Sequence, residues 1–321
     1  MTSTVGELGY REICSLLRSD QGLRLKTGPF GNRIRSALPQ VAQAVANLYG
    51  NYPLLQKDDF IDFDVGVSRP SGLRRWWQPQ VSFQLDGNAP FNPLPGDQGF
   101  PLLEWGLNWC VYGMCHQYLI LHAAVLERGG RALILPAPSG SGKSTLCAAL
   151  LFNGWRLLSD ELALLDPVSG QCIANPRPVS LKNESITVIG ELVSDIEFGS
   201  RVHETSKGTV AHFAAPKAAV DSASSPAWPA WIVLPRWQAG SALKLQPLDK
   251  ARTLMHLVEN AFNYDVYGAE GFELLSQVVT RSACFSFEYS DLGEAIACFS
   301  KLSHQAGDGL ASSSLGWSTS G

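Results

Sequence analysis

The chain has no cysteine pattern on which a disulfide framework or a zinc centre could be built. Its seven cysteines (Cys14, Cys110, Cys115, Cys147, Cys172, Cys284 and Cys298) are odd in number and show neither C-x-x-C nor zinc-ligand spacing. They read as small buried apolar residues in a reducing compartment. Excess positive charge is also missing: 25 Lys and Arg stand against 29 Asp and Glu, a formal net charge of −4. No broad basic surface is available for duplex nucleic acid, which argues against nucleic acid as a partner. No apolar run reaches the roughly 18 residues of a membrane span. The most apolar stretch, FPLLEWGLNWCVYGMCHQYLIL at 100–121, is broken by Glu104, Asn108, His116 and Gln117, and so predicts a buried core helix. Glu7, Arg11 and Glu12 stand where a secretory leader needs apolar residues, which makes the cytosol the expected location. No internal repeat is visible.

What is present is a globular composition: 321 residues, 45% of them hydrophobic, enough for a substantial core. Residues 1–99 read as a small α+β module. Helical spacing appears within the first twenty residues (Leu8, Ile13, Leu16, Leu17) and in Ala37–Leu48. Alternation in Leu23–Ile34 and Phe60–Leu85 predicts strands. Residues 100–305 form the expected second domain. It has strands at Leu121–Leu126 and Ala132–Leu135 joined by a turn at Arg128-Gly129-Gly130, a helix over Lys143–Phe152, and a strand at Trp155–Leu158. Further strands are expected through Cys172–Leu181 and Ala230–Leu234, with an exposed connection at Ala214–Pro229 between them. Late amphipathic helices are expected at Ala251–Phe262 and Leu292–Leu302. The Gly- and Ser-rich end, residues 306–321, predicts a disordered tail.

The strongest motif is Ala137-Pro-Ser-Gly-Ser-Gly-Lys-Ser-Thr145, which follows the apolar strand ALIL and precedes the helical run LCAALL. Strand, glycine-rich loop and helix in that order form a phosphate cradle (a P-loop, or Walker A motif), because backbone N–H groups converge on anionic oxygens without side-chain bulk. Ser139, Gly140, Ser141, Gly142, Lys143, Ser144 and Thr145 are the expected nucleotide-binding residues. Lys143 would place a cation on the β and γ phosphates, and the Ser144 hydroxyl would bind Mg²⁺, so ATP and Mg²⁺ are the expected ligands. One position departs from the motif: its first glycine is Ala137, which would cost about 1 kcal/mol if the site required positive φ.

Seventeen residues after Lys143, the strand WRLL ends in Ser159-Asp160-Glu161. Neighbouring residues on a strand point to opposite faces, so the two carboxylates can divide their work. One can hold Mg²⁺ while the other faces an acceptor hydroxyl.

In these elements the chain resembles the HPr kinase/phosphorylase family, and more closely the HPr-kinase-related kinases. The resemblance rests on LHAAVLERGGRALILPAPSGSGKSTL, with His122 fifteen positions before Ala137, and on WRLLSDE, where Glu161 stands in place of the family's second aspartate. It covers about Leu121 to Leu181. It implies a mixed α/β sheet with a P-loop kinase core of the kind HPr kinases share with phosphoenolpyruvate carboxykinases, in contrast to the all-parallel P-loop sheet. It further implies that Asp160 is the general base, that His122 lies beside it and tunes it, that Glu161 and Ser144 bind Mg²⁺, and that the protein forms homo-oligomers. The family's downstream arginine-containing glycine-rich segment has no counterpart here, which argues against HPr itself as substrate.

The expected activity is therefore ATP-dependent transfer of the γ-phosphoryl group to a hydroxyl, with Asp160, His122 and Lys143 as the catalytic residues. The acceptor would be a serine on a protein or peptide, or a small molecule such as a sugar. A nucleotide-dependent switch or ATP hydrolase acting on a protein partner is the competing reading. Lys182 and Arg236, each after a predicted strand, are candidate second cations but read more simply as surface charges. His203, His212 and Lys207 lie near one another in sequence without metal spacing. Trp76, Trp77, Trp105 and Trp109 read as core aromatics.

Overall fold

In the computed structural model, residues 3–70, 79–138 and 140–308 are described, with the side chains of 305–308 left out. The sequence features at Trp76, Trp77 and Ser139 and in the tail beyond 308 lie outside the described residues. Alternating burial along LRLKT and FGNRIRS produces the antiparallel hairpin of β1 (Leu23–Thr27) and β2 (Phe30–Ser36). Strand β2 runs parallel to β3 (Phe63–Ser68), and β4 (Gln80–Leu85) and β5 (Leu94–Pro95) complete a five-stranded mixed sheet. Helices α1 (Tyr10–Arg18) and α2 (Pro39–Leu48) pack on each other, and Pro39 at the start of α2 sits where its missing N–H costs nothing. Helix α3 (Gly99–Met114) lies on β3 and β4, where Gly106 leaves the space filled by the Phe83 ring. It takes up most of the apolar stretch noted above as a core helix, but the helix ends at Met114 and residues 119–121 open a strand instead. No helix among the described residues is long and apolar enough to cross a membrane.

The chain continues through β6 (Leu119–Arg128), β7 (Arg131–Pro136), α4 (Lys143–Leu151), β8 (Arg156–Ser159), β9 (Leu162–Leu165), β10 (Cys172–Ile173) and β11 (Val179–Lys182). Next come α5 (Glu184–Leu192), β12 (Val202–Thr205), β13 (Gly208–Phe213), α6 (Lys217–Asp221), β14 (Trp228–Trp237) and β15 (Lys244–Pro247). The last elements are α7 (Lys250–Glu259), α8 (Tyr264–Tyr267), α9 (Ala269–Arg281), β16 (Ala283–Tyr289) and α10 (Leu292–Asp308). The large sheet has the order β10-β9-β6-β7-β14-β16-β15, with β8 also paired to β6. Strands β7, β14 and β16 are parallel while β6 and β15 run against their neighbours, so the sheet is mixed and the all-parallel alternative does not hold. The protein is a mixed α/β structure.

Both faces of this sheet are covered, which is why its strands read as nearly unbroken apolar runs. Ile120, Ala124, Leu133 and Leu135 enter one core with Leu146 and Cys147 of α4 and with residues of the first sheet. Leu121, Ala123, Val125 and Ile134 enter a second core with Leu257 of α7 and Leu275 of α9. Two stretches differ from the sequence expectation. Cys172–Leu181 is not one strand: β10 joins the large sheet and β11 joins a separate antiparallel sheet with β13 and β12. Pro176 and Pro178 lie between them, and proline cannot donate to a ladder. Ala214–Pro229 is not an open connection, because it carries α6 and buries Ala215, Ala219, Val220 and Ala227.

Candidate functional site

Ala137 and Pro138 follow β7, and residues 140–142 lead into α4. Ala137 is buried and is not among the non-glycine residues with positive φ, so alanine at the motif's first position carries no backbone cost. Gly140 and Gly142 both have φ of 87°. The loop is braced from the sheet side: the Trp237 N–H at the end of β14 donates to the Ser141 carbonyl (2.9 Å), and the Tyr289 hydroxyl at the end of β16 donates to the Gly142 carbonyl (3.1 Å). A Cβ on Gly142 would lie 2.7 Å from the Tyr289 hydroxyl oxygen and 2.8 Å from the Trp237 Cβ. Replacing Gly142 with Ala is therefore expected to cost about 1–3 kcal/mol of stability and to displace the loop. Urea denaturation beside a wild-type control measures this, and an unchanged midpoint would contradict it.

Lys143 and Ser144 open α4. Lys143 is 6% exposed and its ammonium has no hydrogen-bond partner among the described residues. Burial lowers its pKa, with Glu161 and Asp160 pulling the other way. An ammonium held out of water without a partner costs several kcal/mol, so its arrangement suits an anion supplied from outside. Thr145 does not face the loop's interior alone: its hydroxyl donates to Ser185 Oγ (2.7 Å) and ties α4 to α5.

Asp160 and Glu161 arrive beside this loop through sheet register. Strands β8 and β9 both pair antiparallel with β6, Ser159 opposite Val125 and Leu162 opposite His122, and the chain breaks its ladder between them at the two acids. The Ser159 hydroxyl holds the break open by accepting from the N–H groups of Leu162 (3.0 Å) and Glu161 (3.4 Å). On its other edge β6 pairs Ala123 with Pro136, the residue before the loop, so His122, the acids and the loop occupy neighbouring rows.

The two carboxylates are shifted in opposite directions. Burial, and then the neighbouring Glu161 charge, push Asp160 up to about 7, against the Ser180 N–H that donates to its Oδ2 (3.1 Å). Burial also opposes ionisation of Glu161, but Lys182, Lys143 and Lys207 outweigh it and hold this carboxyl well below the usual range. The Lys182 ammonium is 3.6 Å from Glu161. His122 is partly buried and lowered to about 4, by burial first and then by Lys143, so its imidazole is neutral. The charges acting on His122 are those of Lys143, Glu161, Lys182 and Lys207.

A narrow polar cavity adjoins the acids, lined among others by Trp105, Asn175, Ser180 and His212. Four buried polar atoms around it have no hydrogen-bond partner among the described residues: Asn175 Oδ1, Arg177 Nε, Ser180 Oγ and His212 Nε2. Its far wall is a buried ion pair. Arg177 donates to Glu104 Oε2 (2.5 Å), to the Glu104 carbonyl (2.8 Å) and to Asn108 Oδ1 (3.2 Å), while the Tyr49 hydroxyl donates to the other Glu104 oxygen. The pair joins α3 to the segment between β10 and β11. Replacing Glu104 with Ala leaves the guanidinium buried and unpaired, and is expected to cost about 3–5 kcal/mol. Thermal unfolding tests this; a loss below about 1 kcal/mol would mean that the charge finds water.

The remaining sequence candidates are scattered. Arg236 is largely exposed and reaches only Glu288, at 4.0 Å. His203 meets the Thr209 hydroxyl at 3.1 Å, and His212 is buried with its ring edge-on to Phe100. Trp109 packs on Phe91, whereas Trp105 lines the cavity and carries the Lys207 ammonium 5.5 Å from its ring centroid. Sequence reasoning passed over Glu104, Asn175, Arg177 and Ser180. The only signal for Arg177 was a charged residue between two prolines immediately before an apolar strand, and Glu104 read simply as an interruption of an apolar run.

The family whose sequence model matches this chain is described as SynChlorMet cassette protein ScmC, over residues 105–262, just under half of the chain. That stretch holds the loop, both acids and the cavity residues other than Glu104. The match overturns the resemblance to HPr kinases, which is set aside: a strand, a glycine-rich loop, a helix and a following acid pair form a short local pattern that does not identify a family. No curated protein matches the chain.

Proposed function

We propose that this protein is an ATP-dependent phosphotransferase that moves the γ-phosphoryl group onto a hydroxyl brought beside Asp160. The observation that carries the reading is the buried, unpartnered Lys143 ammonium at the first turn of α4, behind a glycine loop, with an acid pair close by. Loop amides and Lys143 bind the phosphates and neutralise the charge that spreads over the phosphoryl oxygens in transit. Ser144 and Glu161 are hard oxygen donors suited to Mg²⁺, and Glu161 is the ionised member of the pair. Among the described residues no group of three or more His, Cys, Asp or Glu could hold a metal, so the cation's remaining ligands would be phosphate oxygens and water. Bound Mg²⁺ supplies further charge neutralisation.

Asp160 takes the acceptor's proton. The acceptor oxygen forms a bond to phosphorus, the bond from phosphorus to the bridging oxygen of ADP breaks, and the proton passes to the Asp160 carboxylate. A carboxyl raised toward neutrality suits this role, since a base of near-neutral pKa is both available and strong enough. Neutral His122, whose ring lies against Phe262, adds no competing charge. Unpaired donors and acceptors in the cavity would orient the hydroxyl group, and a protein or peptide serine and a small polyol both present one.

The test uses γ-labelled ATP with cell extract, followed by separation of macromolecules from metabolites. Label should appear in one fraction with wild-type protein and in neither with Asp160→Asn. Label released only as inorganic phosphate would instead support a hydrolase or switch.

A further inference from the structure

Lys207 sits at the tip of the β12–β13 hairpin, and its surroundings do not resemble those of an ordinary surface lysine. Among the described residues it forms no ion pair, and its ammonium rests over Trp105, whose side chain lines the cavity beside Asp160 and Glu161. The backbone around it is held in a conformation that costs energy. Glu204 has φ of 54° and Asn183 φ of 51°, two of the three non-glycine residues in the left-handed region among those described. Each such position costs roughly 1–2 kcal/mol and persists only where neighbours enforce it.

The neighbours here form a clasp. Asn183 Oδ1 accepts from the Thr209 N–H (3.0 Å), and its amide donates to the Lys207 carbonyl (3.5 Å). The Thr205 hydroxyl donates to the Gly208 carbonyl (2.6 Å) and accepts from the Lys207 N–H (3.1 Å). A Cβ at Gly208 would run into the Asn183 side chain, and φ there is 83°, so glycine is required. Asn183 directly follows Lys182, which pairs with Glu161, and Lys182 faces Val210 across the β11–β13 ladder. One strained unit thus fixes Lys182 and Lys207 relative to each other and to the acid pair. A surface turn with no task would relax.

We propose that Lys207 contacts the phosphoryl group in transit, leaving the Trp105 ring to bind it from the cavity side while Lys143 binds it from the loop. This rests on the phosphotransferase reading. A lysine parked on an aromatic face keeps its charge and gives up a contact worth about 0.5–2 kcal/mol, less than a charge-assisted bond to a phosphoryl oxygen returns. It makes and breaks no covalent bond.

The test compares ADP with ADP plus aluminium fluoride, a mimic of the phosphoryl group between donor and acceptor, by titration calorimetry with Mg²⁺. Wild type should bind the fluoride complex more tightly than ADP. Lys207→Ala should keep ADP affinity within about twofold and lose at least tenfold toward the fluoride complex, and Lys207→Arg should recover most of that loss. A hairpin needed only for folding would weaken both ligands together and would gain nothing from arginine. The proposal is overturned if Lys207→Ala binds the fluoride complex as wild type does, if both ligands weaken equally, or if wild type gains nothing from fluoride. A wild-type protein that binds no ADP at all would sink the nucleotide reading itself, and this proposal with it.

Discussion

Lys143→Ala is expected to lose MgATP affinity by about 100-fold or more, because a desolvated cation paired with phosphate is worth roughly 3 kcal/mol. The same position should act with opposite sign on the protein without nucleotide. Its ammonium is buried with no partner, so Lys143→Met, which keeps the aliphatic stem, is expected to raise stability by about 1–2 kcal/mol. The pH dependence follows from the direction of its shift. A lysine whose folded pKa lies below its unfolded value binds fewer protons in the folded state, so its penalty eases as pH rises toward the unfolded pKa. Calorimetry and urea titrations read both effects. Excess MgATP at about 100 times Kd should add about 2.7 kcal/mol to wild type and almost nothing to either variant. Nucleotide binding unaltered in Lys143→Ala would end the assignment of this loop, whatever the stability data gave.

The second large effect belongs to Asp160→Asn. Asparagine keeps the shape and can still accept from the Ser180 N–H, but it takes no proton. Phosphoryl transfer is expected to fall by about 10²–10⁴-fold while MgATP affinity changes little. Burial and the Glu161 charge raise Asp160 to about 7 from the ordinary 3.8. In the free enzyme, kcat/KM should therefore climb with pH and level off above about 7, the apparent value belonging to the acid pair. Stability runs the other way. A carboxyl with a raised folded pKa binds more protons folded than unfolded, so the stability it contributes is complete below about 3.8 and is lost as pH rises through about 7. With chelator present and no nucleotide, wild type should lose stability over that window while Asp160→Asn stays flatter and is the more stable of the two at pH 8. Matching slopes for the two proteins would place the raised carboxyl elsewhere, and wild-type transfer by the variant would remove Asp160 from the chemistry.

Much of the candidate site was legible because a strand, glycine-rich loop and helix in succession are a local object. Strand ALIL, the glycine turn and helix LCAALL are contiguous, and hydropathy period, glycine positions and a lysine at the first helical turn are each set within about fifteen residues. The acid pair was visible for the same reason, as the end of an apolar strand. The family resemblance drawn from those pieces did not survive the match to a different family, since short local patterns are poor evidence of descent.

Long-range packing decided the rest. Glu104 and Arg177 are 73 residues apart, and nothing near either one in sequence says that its charge will be buried against the other. His212 entered the cavity wall because β13 pairs with β11, and Lys207 reached Trp105 because Asn183 clasps a hairpin more than twenty residues downstream. Ala137 shows the division most clearly. As a letter in a motif it predicted a cost, but φ depends on how the end of β7 approaches α4, and there the alanine sits unstrained. The order of strand, loop, lysine and acids is written in the chain. Which acid is ionised, which lysine is left unpaired, and what lines the cavity follow from burial and distance, and those exist only after folding.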